Sequence, residues 1–200
     1  RKKGYGAGTL GGFDFKNTYC QPLGATTVPT ATSLVNLVRG GAVATTSGAN
    51  AGTAGGGLTI DTGKKILLPT TFKIASGATD VLIVLWLKHG TQTLASGSAT
   101  PFGCMTDSAA AANWGAYSTF GAMGNYNFVG AGTSLATMTG FVAGTVYQLA
   151  MRMQIVGTTL TYTLYRNGAV YATASKTVGG TFPQPACTPV IGAQTAGAVT

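Results

Sequence analysis

The chain has 200 residues, 45% of them hydrophobic, with 31 glycines and a formal net charge of +8. Only 8% of residues are charged, against roughly 25% in an average soluble domain. There is no Glu and no amphipathic stripe of helix formers, so a helical bundle is excluded and an all-β domain is expected.

The elements predicted in chain order are short and extended. Residues 1–32 are rich in Gly and Thr, lack periodicity, and carry Tyr5, Phe13, Phe15 and Tyr19; they are expected to form an extended assembly arm. Residues 33–200 then form one domain. Ser33–Arg39 reads as a first strand or a short helical turn. Residues 40–57 are low in complexity and read as a flexible Gly-rich loop. No Lys-Ser/Thr follows these glycines, so they do not spell a phosphate loop.

Leu58–Asp61 is predicted as a strand, and Ile66–Ile74 as an extended run in which Pro69 argues for an edge or a bulge. Val81–Leu87 is apolar at seven successive positions, the pattern of a strand buried on both faces. Leu82, Val84 and Trp86 are therefore expected between two sheets, with Leu149, Met151 and Leu164. The same run is far shorter than the roughly 20 residues of a membrane span, so no membrane insertion is expected.

Phe102–Thr106 is a further short strand. Asn113–Phe120 and Asn125–Val129 form a predicted hairpin around residues 121–124, and Leu135–Phe141 another strand. Residues 143–156 and 160–166 make two long strands meeting at Gly157. A third follows the Asn167-Gly168 dipeptide, the residue pair that supplies both positive φ angles of a type I′ turn. Thr188–Ala193 is the last strand. About ten short strands at this spacing imply a sandwich.

Several chemistries are poorly served. The basic residues are scattered apart from Arg1, Lys2 and Lys3, so no nucleic-acid partner is expected. Cys20, Cys104 and Cys187 form no Cys-x-x-Cys pair, which argues against a zinc ribbon or a redox motif. Glycoside hydrolysis needs two carboxylates flanking the bond, whereas Asp14, Asp61, Asp80 and Asp107 are isolated in sequence. His89, the sole histidine, has no nucleophile elbow near any Ser. Asp107 is the best calcium ligand on offer, but no metal and no cofactor are expected.

Binding chemistry remains. Trp114, Tyr117, Asn125, Tyr126 and Asn127 are the candidate ligand-binding residues: aromatic rings stack on sugars, and amides bond hydroxyls. Alternation puts Asn125 and Asn127 on one face and Tyr126 and Phe128 on the other. Trp114, Tyr117 and Phe128 can equally be core residues; for Trp114 the core is preferred, and for Tyr126 both places stand.

The apolar strand with its central Trp86, the Gly144-Thr145-Val146-Tyr147 strand start, the Tyr165-Arg166-Asn167-Gly168 turn and the Val190-Ile191-Gly192 step resemble the concanavalin A-like, laminin G-like jelly-roll family. The resemblance covers about residues 57–193 and implies a two-sheet antiparallel jelly-roll sandwich. In composition the chain also resembles bacteriophage tail-fibre or tail-tip proteins. That resemblance implies a non-enzymatic virion structural protein, a homo-oligomer (a homotrimer in particular), with other virion proteins as partners and host-surface glycan as a ligand. The alternatives are a secreted carbohydrate-binding module and a glycanase or depolymerase. The chain opens on Arg1, as expected of a processed product or part of a longer protein.

Overall fold

The computed structural model describes residues 27–28, 33–34, 42–47, 50–52, 58–59, 65–88, 99–104, 114–118, 125–131, 133–182 and 188–193. Apart from these, the residues of the expected arm lie outside the description, as do His89, Asp14, Asp61, Asp107, Cys20 and Cys187.

The described elements, in order, are strands β1 (Thr27–Val28), β2 (Ser33–Leu34), β3 (Ala44–Ser47), β4 (Asn50–Gly52), β5 (Leu58–Thr59) and β6 (Lys65–Leu67). A single 3-10 turn, Thr70–Phe72, follows, and then β7 (Asp80–Lys88), β8 (Ala99–Cys104), β9 (Trp114–Ser118), β10 (Tyr126–Gly130) and β11 (Thr133–Met138). The last four are β12 (Val146–Val156), β13 (Thr159–Arg166), β14 (Ala169–Thr177) and β15 (Val190–Ala193). The fold is an antiparallel two-sheet β-sandwich, as the sequence leads one to expect. An eight-stranded sheet runs β11-β10-β9-β8-β15-β6-β3-β2, a four-stranded sheet runs β14-β13-β12-β7, and β1-β4-β5 form a small third sheet.

Two hairpin turns organise the four-stranded sheet. Between β13 and β14, Asn167 has φ 52° and Gly168 φ 81°, the pair of positive angles a type I′ turn demands. The Asn167 N–H donates to the Gln148 carbonyl (2.9 Å), and its Oδ1 accepts from the Gln148 N–H (3.0 Å), so the turn is bracketed onto β12. Between β12 and β13, Gly157 takes φ 59° at the first turn position.

The core lies between the sheets. The eight-stranded sheet contributes Phe102, Cys104, Trp114, Ala116, Tyr126, Phe128 and Met138. The four-stranded sheet contributes Tyr147, Leu149, Met151, Met153, Ile155, Leu160, Tyr162 and Leu164, the odd positions of β12 and the even positions of β13. Gly130 pairs with Trp114 across β9–β10, and its missing side chain leaves the space the Tyr162 ring occupies. One side of the sandwich, where the edge strands β14 and β11 meet, is stitched shut. Lys176 Nζ on β14 donates to the Ala131 carbonyl, Arg166 Nη1 donates to the Thr139 carbonyl (2.6 Å), and the Tyr171 hydroxyl accepts from the Thr139 N–H (3.2 Å).

Three expectations are corrected. Leu82, Val84 and Trp86 do not lie between the sheets. The strand alternates, so Val81, Ile83, Leu85 and Leu87 face inward while the even positions face outward. Part of the expected loop at 40–57 is strand: β3 pairs with β2 and β6, with Ala44 and Thr46 buried. Its Thr-rich, small-residue sequence suits a tightly packed strand as well as a loop. The run from Ile66 to Ile74 is interrupted after Leu67 by Pro69, which initiates the 3-10 turn.

Candidate functional site

The expected binding residues do not form a surface platform. Trp114 is 6% exposed and Tyr126 5%, both within the core. Tyr126 stacks edge-on against Phe141 (centroids 4.8 Å), and Phe141 likewise against Tyr147 (4.8 Å). Burial pushes the Tyr126 hydroxyl up to about 12, so it stays protonated at neutral pH. Asn127 points the other way, as alternation requires, and its Oδ1 accepts from Thr137 Oγ1 (2.6 Å). Asn125 is half-buried. Tyr117 pairs with Asn127 through the backbone, and its side chain lies outside the described residues. The site read from sequence therefore contributes two asparagines to a surface and withdraws Trp114 and Tyr126 from it.

The exposed aromatic chemistry sits on the outer face of the four-stranded sheet. β7 presents Leu82 (59% exposed), Val84 (38%) and Trp86 (67%) in one row, with Asp80 and Lys88 at its ends. The register carries this face across the sheet. Trp86 lies opposite Gln148, Val84 opposite Ala150 and then Tyr165, and Leu82 opposite Arg152 and then Thr163. Val146, opposite Lys88, is also exposed. The result is an apolar, partly aromatic row along the β7 edge, bordered by amides, hydroxyls and one ion pair.

That ion pair is built from residues 72 positions apart in sequence. Arg152 grips Asp80 with both arms of its fork: Nε donates to Oδ1 (3.0 Å) and Nη2 to Oδ2. Gln154 Nε2 adds a third donor to Oδ2 (3.1 Å). The hydrogen bonds from Arg152 outweigh the opposing desolvation and, with its charge, hold the Asp80 carboxyl below the ordinary aspartate range. A carboxyl held ionised is a poor general acid. Asp80 is also the one carboxylate side chain among the described residues, so they contain no pair to flank a glycosidic bond. No cluster of His, Cys, Asp or Glu among them could hold a metal, and none of their helices is long and apolar enough to cross a membrane.

The sequence did contain a signal for this face. Asp80 and Lys88 share the parity of Leu82, Val84 and Trp86, and charged residues at both ends of the even set mark it as the outward one.

No protein-family model matches the chain, and no curated protein matches it. Among solved structures it is similar to a mutant of Trypanosoma rangeli sialidase displaying trans-sialidase activity, at a TM-score of 0.61 and 14% identity. The match covers 86% of this chain but only 27% of that one, so the chain spans about a quarter of the sialidase's length. At that identity the likeness is one of fold, and it agrees with the sandwich described above.

Proposed function

We propose that the chain is a non-enzymatic structural and recognition domain of a virion surface component, at or near a tail fibre or tip. In this reading it assembles with copies of itself and with other virion proteins, and its exposed faces meet the host surface. The observation that carries the reading is the row Leu82, Val84 and Trp86, left open on an otherwise well-packed sandwich. Large apolar side chains grouped on a surface mark a place where something else packs. The scarcity of charge and abundance of Gly, Ala and Thr support a structural role, and the locked Asp80 argues against hydrolysis.

A second reading, a carbohydrate-binding module, has one specific observation in its favour. Trp86 is largely exposed and lies opposite Gln148 in the β7–β12 register, a pairing of stacking and hydrogen-bonding residue types suited to a sugar. One structural neighbour is a sialidase, which makes sialylated glycans sensible first ligands to screen.

The readings separate in three measurements on the purified chain: particle mass by light scattering, binding to a glycan array, and turnover of a glycoside panel. A homo-oligomer without turnover is expected, and an antiserum against the chain should decorate virus particles that carry its gene. A monomer that labels no particle overturns the virion reading. A monomer with array hits lost in Trp86→Ala establishes the binding module instead, and turnover overturns the non-enzymatic assignment.

A further inference from the structure

We propose that β7 is a self-complementary docking edge, on which a second copy of this chain adds its own β7 antiparallel and merges two four-stranded sheets into one of eight strands. The proposal rests on the reading that the chain assembles with itself, and names the surface and the symmetry.

The two edges of the four-stranded sheet are unlike. β14 carries protection of the kind that keeps an edge from pairing: its register with β13 shifts between Leu164 and Tyr165, and it carries Lys176 and the polar residues Thr173, Ser175 and Thr177. It is also tied to the other sheet through Lys176 and Tyr171. Between its charged ends, Asp80 and Lys88, β7 has none of these features. Its register with β12 runs unbroken from Asp80 to Lys88, it contains no Pro, and Val81 to Leu87 are all apolar. Among the described residues it pairs with β12 alone, so one whole edge of backbone groups faces outward. A strand apolar on both faces is the pattern of an interior strand, and the single chain buries only one face of this one.

The sequence of β7 indicates what covers it. Place two copies antiparallel about a two-fold axis at Val84. Each Val84 then faces its counterpart, Leu82 faces the second copy's Trp86, and Asp80 faces the second copy's Lys88. The same register puts Val81 against Leu87 and Ile83 against Leu85 on the inner face. Apolar thus meets apolar along the whole row, and opposite charges meet at both ends. Lys88 supplies the cation, while Asp80 stays held by Arg152 within its own chain. A nine-residue antiparallel pairing of this kind adds about eight to ten main-chain hydrogen bonds. On the outer face, Tyr165, Ala150 and Val84 would continue across the axis into the same three residues of the second copy. Such an isologous contact closes on itself and yields a dimer, or an even-numbered assembly of dimers.

The test uses the full chain. Sedimentation should show a dimer, and Val84→Lys, which sets two like charges face to face, should weaken it by about tenfold or more while circular dichroism stays native. Because the lysine could perturb folding, a second measurement fixes the register independently. Val84→Cys should form a covalent dimer under mild oxidation above the wild-type cysteine background. Leu82→Cys alone should not, because its counterpart lies about 13 Å away along the strand. Mixing Leu82→Cys with Trp86→Cys should restore cross-linking. A trimer, or a dimer insensitive to Val84→Lys and not trapped by Val84→Cys, overturns this pairing and leaves self-assembly standing. A monomer at the highest soluble concentration overturns both.

Discussion

Replacing each tryptophan by alanine in turn should expose the difference between the two faces of the sandwich. A tryptophan presents about 250 Å² to solvent when free. Trp86, 67% exposed, therefore hides about 80 Å², which at ~25 cal/mol per Å² is about 2 kcal/mol, part of which alanine retains. Trp86→Ala should cost a dilute, monomeric sample about 1 kcal/mol. Trp114, 6% exposed among the core residues, hides nearly all its area, and truncation there should cost about 3–5 kcal/mol. Trp114 adds a finer test. Its Nε1 is buried without a hydrogen-bond partner among the described residues, and an orphaned donor costs about 1–3 kcal/mol. Trp114→Phe removes that donor along with some packing, so it should lose much less than Trp114→Ala. Urea unfolding followed by circular dichroism gives the free energies. Emission spectra give an independent check, because the indole left in Trp86→Ala should emit to the blue of the one left in Trp114→Ala. Equal costs for the two alanine variants, or a water-like emission from Trp114, would refute the assignment of inner and outer faces.

Gly130→Ala should destabilise by about 3 kcal/mol or more, because the added Cβ falls inside the buried Tyr162 ring; adding Tyr162→Leu should recover part of the loss in a chemical denaturation series. Gly168→Ala should cost about 1 kcal/mol by forcing a side chain into φ 81°, read by thermal unfolding, whereas Gly144→Ala, at φ 79° in another turn, reports the same strain without the hairpin. Asp80 should titrate below the usual aspartate range by carboxyl-detected NMR, and Arg152→Gln should bring it back up. Its folded pKa is depressed, so the stability it contributes is present above about pH 4 and is lost as pH falls through the folded value. The pair is exposed, so the effect should be small and weakened by salt.

What the sequence disclosed depended on whether the signal was local. The Asn167-Gly168 turn was legible because two adjacent residues carry the whole requirement, and the structure shows both positive angles. Leu149, Met151 and Leu164 were legible as core from alternation on strands that expose one face. Val81–Leu87 misled for a physical reason: seven apolar residues in a row erase the alternation, and only Asp80 and Lys88 at the ends disclose which parity faces out. Trp114 and Tyr126 have the residue types of a sugar site and those of a core alike, and burial alone separates the two. The grip of Arg152 on Asp80 joins distant strands and leaves no local trace. The short β3 and β4 lay hidden in a low-complexity stretch where small residues carry almost no periodic signal.

Hydrogen exchange resolved by peptide, measured on the full chain at low and high concentration, tests the central claim that the β7 edge is a working contact surface. Protection across Val81–Leu87 should rise with concentration while protection across Ala169–Thr177 on the opposite edge stays constant. Exchange on β7 that is independent of concentration, or a rise confined to the β14 edge, would contradict it.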